Sequence, residues 1–254
     1  MMNRRLISNT GLPAALAAFA VQAACETLWP TRCAICDEQG AVLCERCAKA
    51  LPFIDYWRAC PRCGAPFGSV LCTECNSAML ATLGRTVLPY RSCVSAVTFE
   101  PEAARIVSAY KDRGEQRLAH EMAHLMAACV PPERLSGPGN KPVVTFVPAT
   151  SAARRRRGFD HGELLAEQTA AQLGLTVLPL LARPLSKDQR LLGRRERARN
   201  MYGRFTALPS VMPPENALLV DDVCTTGSTL AEASDAILAL GCACVDCLTF
   251  ARVW

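Results

Sequence analysis

Eight cysteines between Cys33 and Cys75 fall into four C-x-x-C pairs: Cys33/Cys36, Cys44/Cys47, Cys60/Cys63 and Cys72/Cys75. Each pair is a short knuckle offering two thiolates, and two knuckles supply the four sulfurs that tetrahedral zinc takes in a closed structural site. The pattern is an internal repeat. Arg32-Cys33-Ala34-Ile35-Cys36 with Val42-Leu43-Cys44-Glu45-Arg46-Cys47 is echoed by Cys60-Pro61-Arg62-Cys63 with Val70-Leu71-Cys72-Thr73-Glu74-Cys75. Two zinc ions in sequential sites are expected, with a cross-braced pairing as the alternative. Four thiolates leave no open position for water, so the role of such a site is structural or partner-binding and not catalytic.

A second set of residues lies in Leu218 to Leu230, LLVDDVCTTGSTL. The apolar run Ala217-Leu218-Leu219-Val220 reads as a buried strand. Asp221 and Asp222 stand at its carboxyl end, and Val223 leads into the small hydroxyl residues Thr225, Thr226, Gly227, Ser228 and Thr229. Two carboxylates on a rigid strand end can accept hydrogen bonds from the adjacent hydroxyls of a ribose. The turn that follows can hold a phosphate on the same sugar through its hydroxyls, its amides and the positive end of the next helix. The competing reading is an ordinary strand, turn and helix with a solvated acidic pair.

The elements that must position these residues follow from periodicity. From about residue 85 strands and helices alternate. Strands are expected at Ser95–Glu100, Val143–Val147, Val177–Leu181, Ala217–Asp221 and Cys244–Ala251. Helices are expected at Pro101–Tyr110, Glu115–Cys129, Gly162–Leu173 and Ser228–Leu240, and Pro131–Pro142 reads as a connecting loop. This order is that of an α/β fold with a mostly parallel sheet covered by helices. The chain thus divides into an N-terminal helix over 1–32, a cysteine-rich zinc-binding module over 33–80 and an α/β domain over 85–254.

The stretch from Asp221 to Thr229 resembles the phosphoribosyl-pyrophosphate motif of type I phosphoribosyltransferases. Together with the paired-cysteine module, Tyr110-Lys111, the segment Val147-Pro148 through Arg157-Gly158-Phe159 and the run from Arg195 to Phe205, it is similar to the ComF family of competence and DNA-utilisation proteins across residues 30 to 254. Two segments depart from that pattern: Asp160-His161 stands where the family commonly has Asn-Gln, and Ser186-Lys187-Asp188-Gln189 where it commonly has Thr-x-x-Gln. The resemblance implies a type I phosphoribosyltransferase-like sheet with helices on both faces, and binding of phosphoribosyl pyrophosphate with magnesium. It also implies Lys111, Asp221 and Asp222 as the catalytic set, with Lys111 and Arg157 facing pyrophosphate. Single-stranded DNA and DNA-uptake proteins are the implied partners, and no feature of the chain marks an acceptor substrate.

Arginine is concentrated in Arg154 to Arg157 and again in Arg190, Arg194, Arg195, Arg197, Arg199 and Arg204. Guanidinium forks suit phosphate oxygens, on pyrophosphate or on a nucleic-acid backbone. Arg154, Arg155, Arg156, Arg195 and Arg199 are accordingly candidate nucleic-acid contacts. They support an alternative in which the chain is a non-catalytic nucleic-acid-binding module and the phosphoribosyl site is regulatory. Stacking aromatics nearby are sparse: Phe159, Tyr202 and Phe205.

Other matches carry less. His120-Glu121-Met122-Ala123-His124 fits the H-E-x-x-H arrangement of metalloproteases. Its apolar neighbours Leu118, Met122, Leu125, Met126 and Cys129 share one helical face, with Arg117, His120, Glu121 and His124 on the other, which is the partition of an ordinary surface helix. Cys242, Cys244 and Cys247 read as core residues of a last strand. Cys224, beside the turn, reads as a small side chain that fits, with a redox-sensitive thiol as the alternative.

Composition bounds the rest. The net charge of +5 is too small by itself to demand nucleic acid. Clustered C-x-x-C pairs in a chain of this length point to reduced thiolates and a cytoplasmic location. Asn3-Arg4-Arg5, the apolar Leu12 to Ala24 stretch and the small residues before Cys25 imitate a signal peptide. The favoured alternative is a helix packed on the cysteine module. No apolar run reaches the roughly 18 residues of a membrane span, so no stable membrane insertion is expected. Protein purified under reducing conditions should carry about two zinc ions per chain by elemental analysis. A folded sample free of zinc would remove the knuckle reading.

Overall fold

A computed structural model of the protein describes residues 27, 30–82, 84–135, 141–183, 205–208 and 212–254. The expected helix over 1–32 therefore lies almost entirely outside the described residues. So do Ser186 to Gln189, Tyr202 and the second arginine cluster, including Arg195 and Arg199. The chain divides into two compact units, Met1–Lys49 and Ala50–Trp254.

The first unit is built on one knuckle pair. The Cys33 amide donates to the Glu38 carbonyl and the Asp37 amide to the Cys33 carbonyl, both at 2.9 Å, closing the loop around Cys36. The helix α1 (Glu45–Lys49) carries Cys47 inward.

The second unit contains the other knuckle pair, the helix α2 (Ser77–Thr82) and the α/β domain. Strands β1 (Ser92–Thr98), β2 (Val143–Phe146), β5 (Asn216–Cys224) and β6 (Cys244–Arg252) form a parallel sheet in the order β1-β6-β5-β2. Central strands of a parallel sheet are covered on both faces, and β5 and β6 are buried along nearly their whole length, the polar Asp221, Asp222, Asp246, Thr249 and Arg252 included. Helices α3 (Pro101–Lys111), α4 (Leu118–Ala128) and α7 (His161–Leu173) are associated with one face, where α4 and α7 pack together. Helix α8 (Ser228–Ala239) packs against β5 and β6, burying Leu230, Ala231, Ala233 and Ile237 with Leu219, Val245 and Cys247. The short helices α5 (Pro132–Leu135) and α6 (Ser151–Arg157) lie in connections, and β3 (Leu181–Ala182) pairs antiparallel with β4 (Thr206–Ala207) apart from the main sheet.

The differences from the expected elements have local causes. β1 begins three residues before the expected Ser95 because its serines pair across the strand. Ser92 Oγ donates to Asp246 Oδ1 at 2.6 Å, and Ser95 Oγ meets Thr249 Oγ1 at 2.7 Å. Polar pairing of this kind is invisible to a search for apolar runs. The strand expected at Val177–Leu181 is interrupted: the Leu178 amide reaches the Val144 carbonyl at 2.8 Å, and then Pro179, which has no N–H, ends the pairing. Helix α6 was not expected. Thr150 caps it by accepting from the Ala153 amide, and Gly158 closes it in the left-handed region at φ 80°.

Knuckle and sheet meet closely in the second unit. A Cβ at Gly64 would lie 2.5 Å from the Cys93 carbonyl oxygen, and Gly64 itself holds φ +70°. Gly114 has a similar φ of +73° and open space around it. Gly64→Ala should therefore combine left-handed strain with a backbone clash and cost roughly 2–4 kcal/mol. Gly114→Ala should cost about 1–2 kcal/mol. Chemical denaturation of the two variants checks this, and equal losses would show that the knuckle gives way without cost.

Candidate ligand cleft and thiolate centres

The eight cysteines gather as two sequential tetrads, Cys33/Cys36/Cys44/Cys47 and Cys60/Cys63/Cys72/Cys75, so the cross-braced alternative falls. Sulfur separations are 3.7 Å for Cys36 and Cys44, 3.7 Å for Cys60 and Cys75, and 3.5 Å for Cys63 and Cys72. A tetrahedron with Zn–S bonds of about 2.3 Å has edges of about 3.8 Å, so both tetrads fit zinc. Amides turn toward the sulfurs as well. Cys44 N donates to Cys33 Sγ and Glu74 N to Cys72 Sγ, each at 3.4 Å, contacts that stabilise thiolate charge. Every described cysteine is a free thiol.

The acidic pair stands where β5 ends, between β2 and β6, at the carboxyl edge of the sheet. A cleft of about 250 Å³ opens there, lined by Lys111, Val147, Pro148, His161, Arg183, Asp221, Asp222, Val223, Thr225 and Thr229. Asp221 and Asp222 are 7% and 2% exposed, not the solvated pair of the competing reading. Their carboxylates accept from the backbone of their own strand end, Asp222 N to Asp221 Oδ1 at 2.9 Å and Val223 N to Asp222 Oδ1 at 2.8 Å. Lys111, the last residue of α3, forms an ion pair with Asp222 Oδ2. Burial, and then the neighbouring Asp222 charge, holds the Asp221 carboxyl well above its ordinary range, with Lys111 opposing.

The N-cap of α8 is a glycine with no side chain to offer, and the Ser228 amide reaches Thr226 Oγ1 at 3.4 Å. Gly227 occupies the N-cap at φ 77°. Thr226 Oγ1 and Ser228 Oγ share a 2.8 Å hydrogen bond. Thr225 and Thr229 thus line the cleft beside the acids at the start of a twelve-residue helix, an arrangement that can receive an anion.

Two further side chains enter the cleft that motif reading left out. His161 opens α7, whose N-cap Asp160 accepts from Gly162 N at 3.0 Å and Glu163 N at 3.3 Å, as well as from Ala149 N at 2.9 Å. Arg157 Nη1 lies 3.3 Å from His161 Nδ1. A guanidinium can only donate, so Nδ1 accepts and the neutral ring carries its proton on Nε2. Burial first, with Lys111 and Arg157 adding to it, pushes the imidazole pKa down. Arg183 also lines the cleft, its guanidinium 4.8 Å from the centre of the Phe205 ring and its Nε donating to the Pro148 carbonyl at 2.7 Å. The signal for His161 was its departure from the family's Asn-Gln, and for Arg183 there was none.

The arginine run does not act as a block. The Arg157 side chain is 13% exposed and reaches Asp112 at 3.3 Å as well as His161. Arg154, Arg155 and Arg156 are exposed, with Arg154 3.9 Å from Glu163 and Arg156 4.0 Å from Asp112. The H-E-x-x-H residues gather no ligand set: among the described residues, His120, Glu121 and His124 belong to none of the groups able to hold a metal. Cys242 and Cys247 are buried in the sheet's core, as read from the sequence.

Comparison with known proteins completes these observations. A family described as a double zinc ribbon domain matches residues 24–76. The chain is 30% identical over 212 residues to the DNA utilization protein YhgH of Salmonella typhi, covering 80% of this chain and 87% of the relative. Its identity to the protein of that name in Escherichia coli K12 is 25% over 192 residues, 74% of this chain and 81% of the relative. Competence protein F of Haemophilus influenzae is 33% identical over 99 residues, 37% of this chain and 43% of that protein.

The raised Asp221 pKa has a consequence for stability. Above the unfolded carboxylate pKa of about 3.9 the unfolded chain has lost a proton that the folded chain keeps, so this group makes stability fall as pH rises. Asp221→Asn removes that dependence. The variant should melt above the parent at about pH 8, with the gap closing toward about pH 4. A gap independent of pH would show that Asp221 is ionised in the folded protein.

Proposed function

The chain belongs to the ComF family, and from that premise we propose that the acid-lined cleft binds phosphoribosyl pyrophosphate with magnesium in the service of DNA uptake or utilisation. The observation that carries this reading is the meeting, in one cleft, of two buried carboxylates with Thr225 and Thr229 at the start of a helix. Asp221 and Asp222 accept hydrogen bonds from the ribose hydroxyls, and Thr225 to Thr229 hold the 5′-phosphate. Lys111, Arg157 and the N–H of His161 present positive or donating groups to the pyrophosphate side. Magnesium prefers oxygen ligands, which suits the carboxylates and the ligand's phosphates, and when bound it neutralises charge on the departing pyrophosphate. If transfer occurs, the anomeric carbon passes through an oxocarbenium-like state, and the cations fixed in the cleft stabilise the leaving charge.

A second reading rests on the exposure of Arg154, Arg155 and Arg156 along α6. Three guanidiniums in solvent beside the cleft suit the phosphates of single-stranded DNA, and binding of that kind weakens steeply with salt. In this reading the phosphoribosyl site is regulatory.

Calorimetry on variants separates the parts. Changing Asp221 and Asp222 together to Asn keeps shape and removes the charge-assisted hydrogen bond of Asp222, worth roughly 1.5–3 kcal/mol, so affinity for phosphoribosyl pyrophosphate should fall at least about tenfold. Gly227→Val obstructs the turn and should weaken ribose 5-phosphate as well. DNA binding should survive both changes and fall when Arg154, Arg155 and Arg156 become Ala. Parental affinity for phosphoribosyl pyrophosphate in the Asn double variant would refute the acidic pair as a ribose site.

A further inference from the structure

A buried guanidinium joins the second zinc ribbon to the turn after β5. Arg252, the last residue of β6, is 2% exposed. Its Nη1 donates to Cys224 Sγ at 2.6 Å, its Nη2 lies 3.8 Å from Glu74 Oε2, and its Nε has no hydrogen-bond partner among the described residues. Each contact leads to a different place. Cys224 ends β5 immediately before the turn, and its sulfur lies beside Gly227. Glu74 sits between the thiolate ligands Cys72 and Cys75, and its own amide donates to Cys72.

The surroundings leave this link little slack. A Cβ on Gly227 would lie 3.3 Å from the Tyr90 hydroxyl and 3.9 Å from Cys224 Sγ. Leu88 packs against both the cysteine cluster and the sheet's core. A buried charge without a full set of partners is costly, so the guanidinium is held only while both Glu74 and Cys224 stay in place. The Cys224 thiol is brought down to about 7, first by the hydrogen bond from Cys93 and then by the Arg252 charge, which is consistent with a sulfur that carries negative character toward the guanidinium.

We propose that Arg252 is a positioning residue that ties the second ribbon to the phosphate turn, so that metal held by Cys60, Cys63, Cys72 and Cys75 raises the turn's affinity for a sugar phosphate. Metal fixes Cys72 and Cys75 and therefore the backbone of Glu74. Glu74 holds the guanidinium toward Cys224, the residue from which the turn starts and whose sulfur lies beside Gly227. A turn ordered in advance loses less entropy when phosphate arrives. With the tetrad empty the knuckle loosens, because its folding and its metal binding are one event. Arg252 then keeps a single partner, and the turn must be ordered by the ligand.

The inference rests on the reading of Thr225 to Thr229 as a phosphate site, and two readouts keep the two apart. Ribose 5-phosphate binding is measured by calorimetry, and amide exchange at Thr225 to Thr229 by mass spectrometry without ligand. The variants are Glu74→Gln, Arg252→Lys, and Cys60→Ser with Cys63→Ser; Cys33→Ser with Cys36→Ser empties the first ribbon as a control. Glu74→Gln and the second-ribbon variant should speed exchange in the turn and weaken ribose 5-phosphate roughly tenfold, the loss expected for a charge-assisted contact. Arg252→Lys should fall between them and the parent, and the control should match the parent in both readouts. Glu74 is partly exposed, so its variant is expected to fold even where changes at Arg252 do not. Unchanged exchange in folded Glu74→Gln and in the second-ribbon variant overturns the link. A parent that ignores ribose 5-phosphate refutes the phosphate reading and with it the affinity claim, while exchange still decides whether the ribbon orders the turn.

Discussion

Asp221 and Asp222 are carried into the interior by the strand that bears them, and the Lys111 ammonium on Asp222 is what makes that burial tolerable. Two adjacent carboxylates in a dry strand end repel one another and lose their hydration, so one cation must be delivered to the same point by another element. Helix α3 does this. Its penultimate residue, Tyr110, is fully buried and donates to the His161 carbonyl at 2.6 Å, which fastens the end of α3 to the start of α7. The lysine therefore arrives on a braced backbone, and its position depends on packing between two helices rather than on the motif that holds the acids.

That dependence marks the boundary between what was legible in the sequence and what was not. The strand, the acidic pair and the turn are contiguous, so their chemistry could be read directly, and the strands of the parallel sheet were marked by their apolar residues, the polar start of β1 excepted. His161 could not be read in this way. Its role depends on α7 starting beside the end of β5, and the Asp160-His161 pair looked only like a departure from a familiar pattern. In the fold the two residues divide the work: Asp160 caps the helix and His161 faces the acids. Likewise Arg154 to Arg157 are consecutive, and only the family resemblance set Arg157 apart as a pyrophosphate contact; the seven-residue helix turns Arg157 inward and leaves the others in solvent. A run of like residues carries no information about helical phase until the cap is known, and Thr150 supplied it.

The two ribbons show the opposite limit. Their repeat made them look interchangeable, and their sulfur geometry is indeed alike. Yet the first belongs to its own compact unit, and the second is continuous with the α/β domain. The difference lies outside the cysteines. Gly64, the residue after Cys63, is pressed on the Cys93 carbonyl where any side chain would collide, and Leu88 completes the cluster from the domain's side. A short ribbon buries little apolar surface of its own, so a neighbouring sheet is a way to complete its core.

Arg252 follows from the same economy of burial. A cation at the end of a central strand is expensive unless it neutralises something, and what lies near it is a collection of sulfurs: Cys224 and Cys93 of the domain and Cys63 of the ribbon all favour its charge. Thiolates in a zinc site carry net negative charge when four of them share one divalent ion, so a buried guanidinium beside the ribbon compensates charge that the metal leaves over. Because the same guanidinium also holds Cys224, the charge balance of a structural metal site and the shape of a ligand turn are set by one side chain. The motif beginning at Asp221 is thus not self-sufficient: its acids lean on α3 and its turn leans on the ribbon, and both supports lie far away in the sequence.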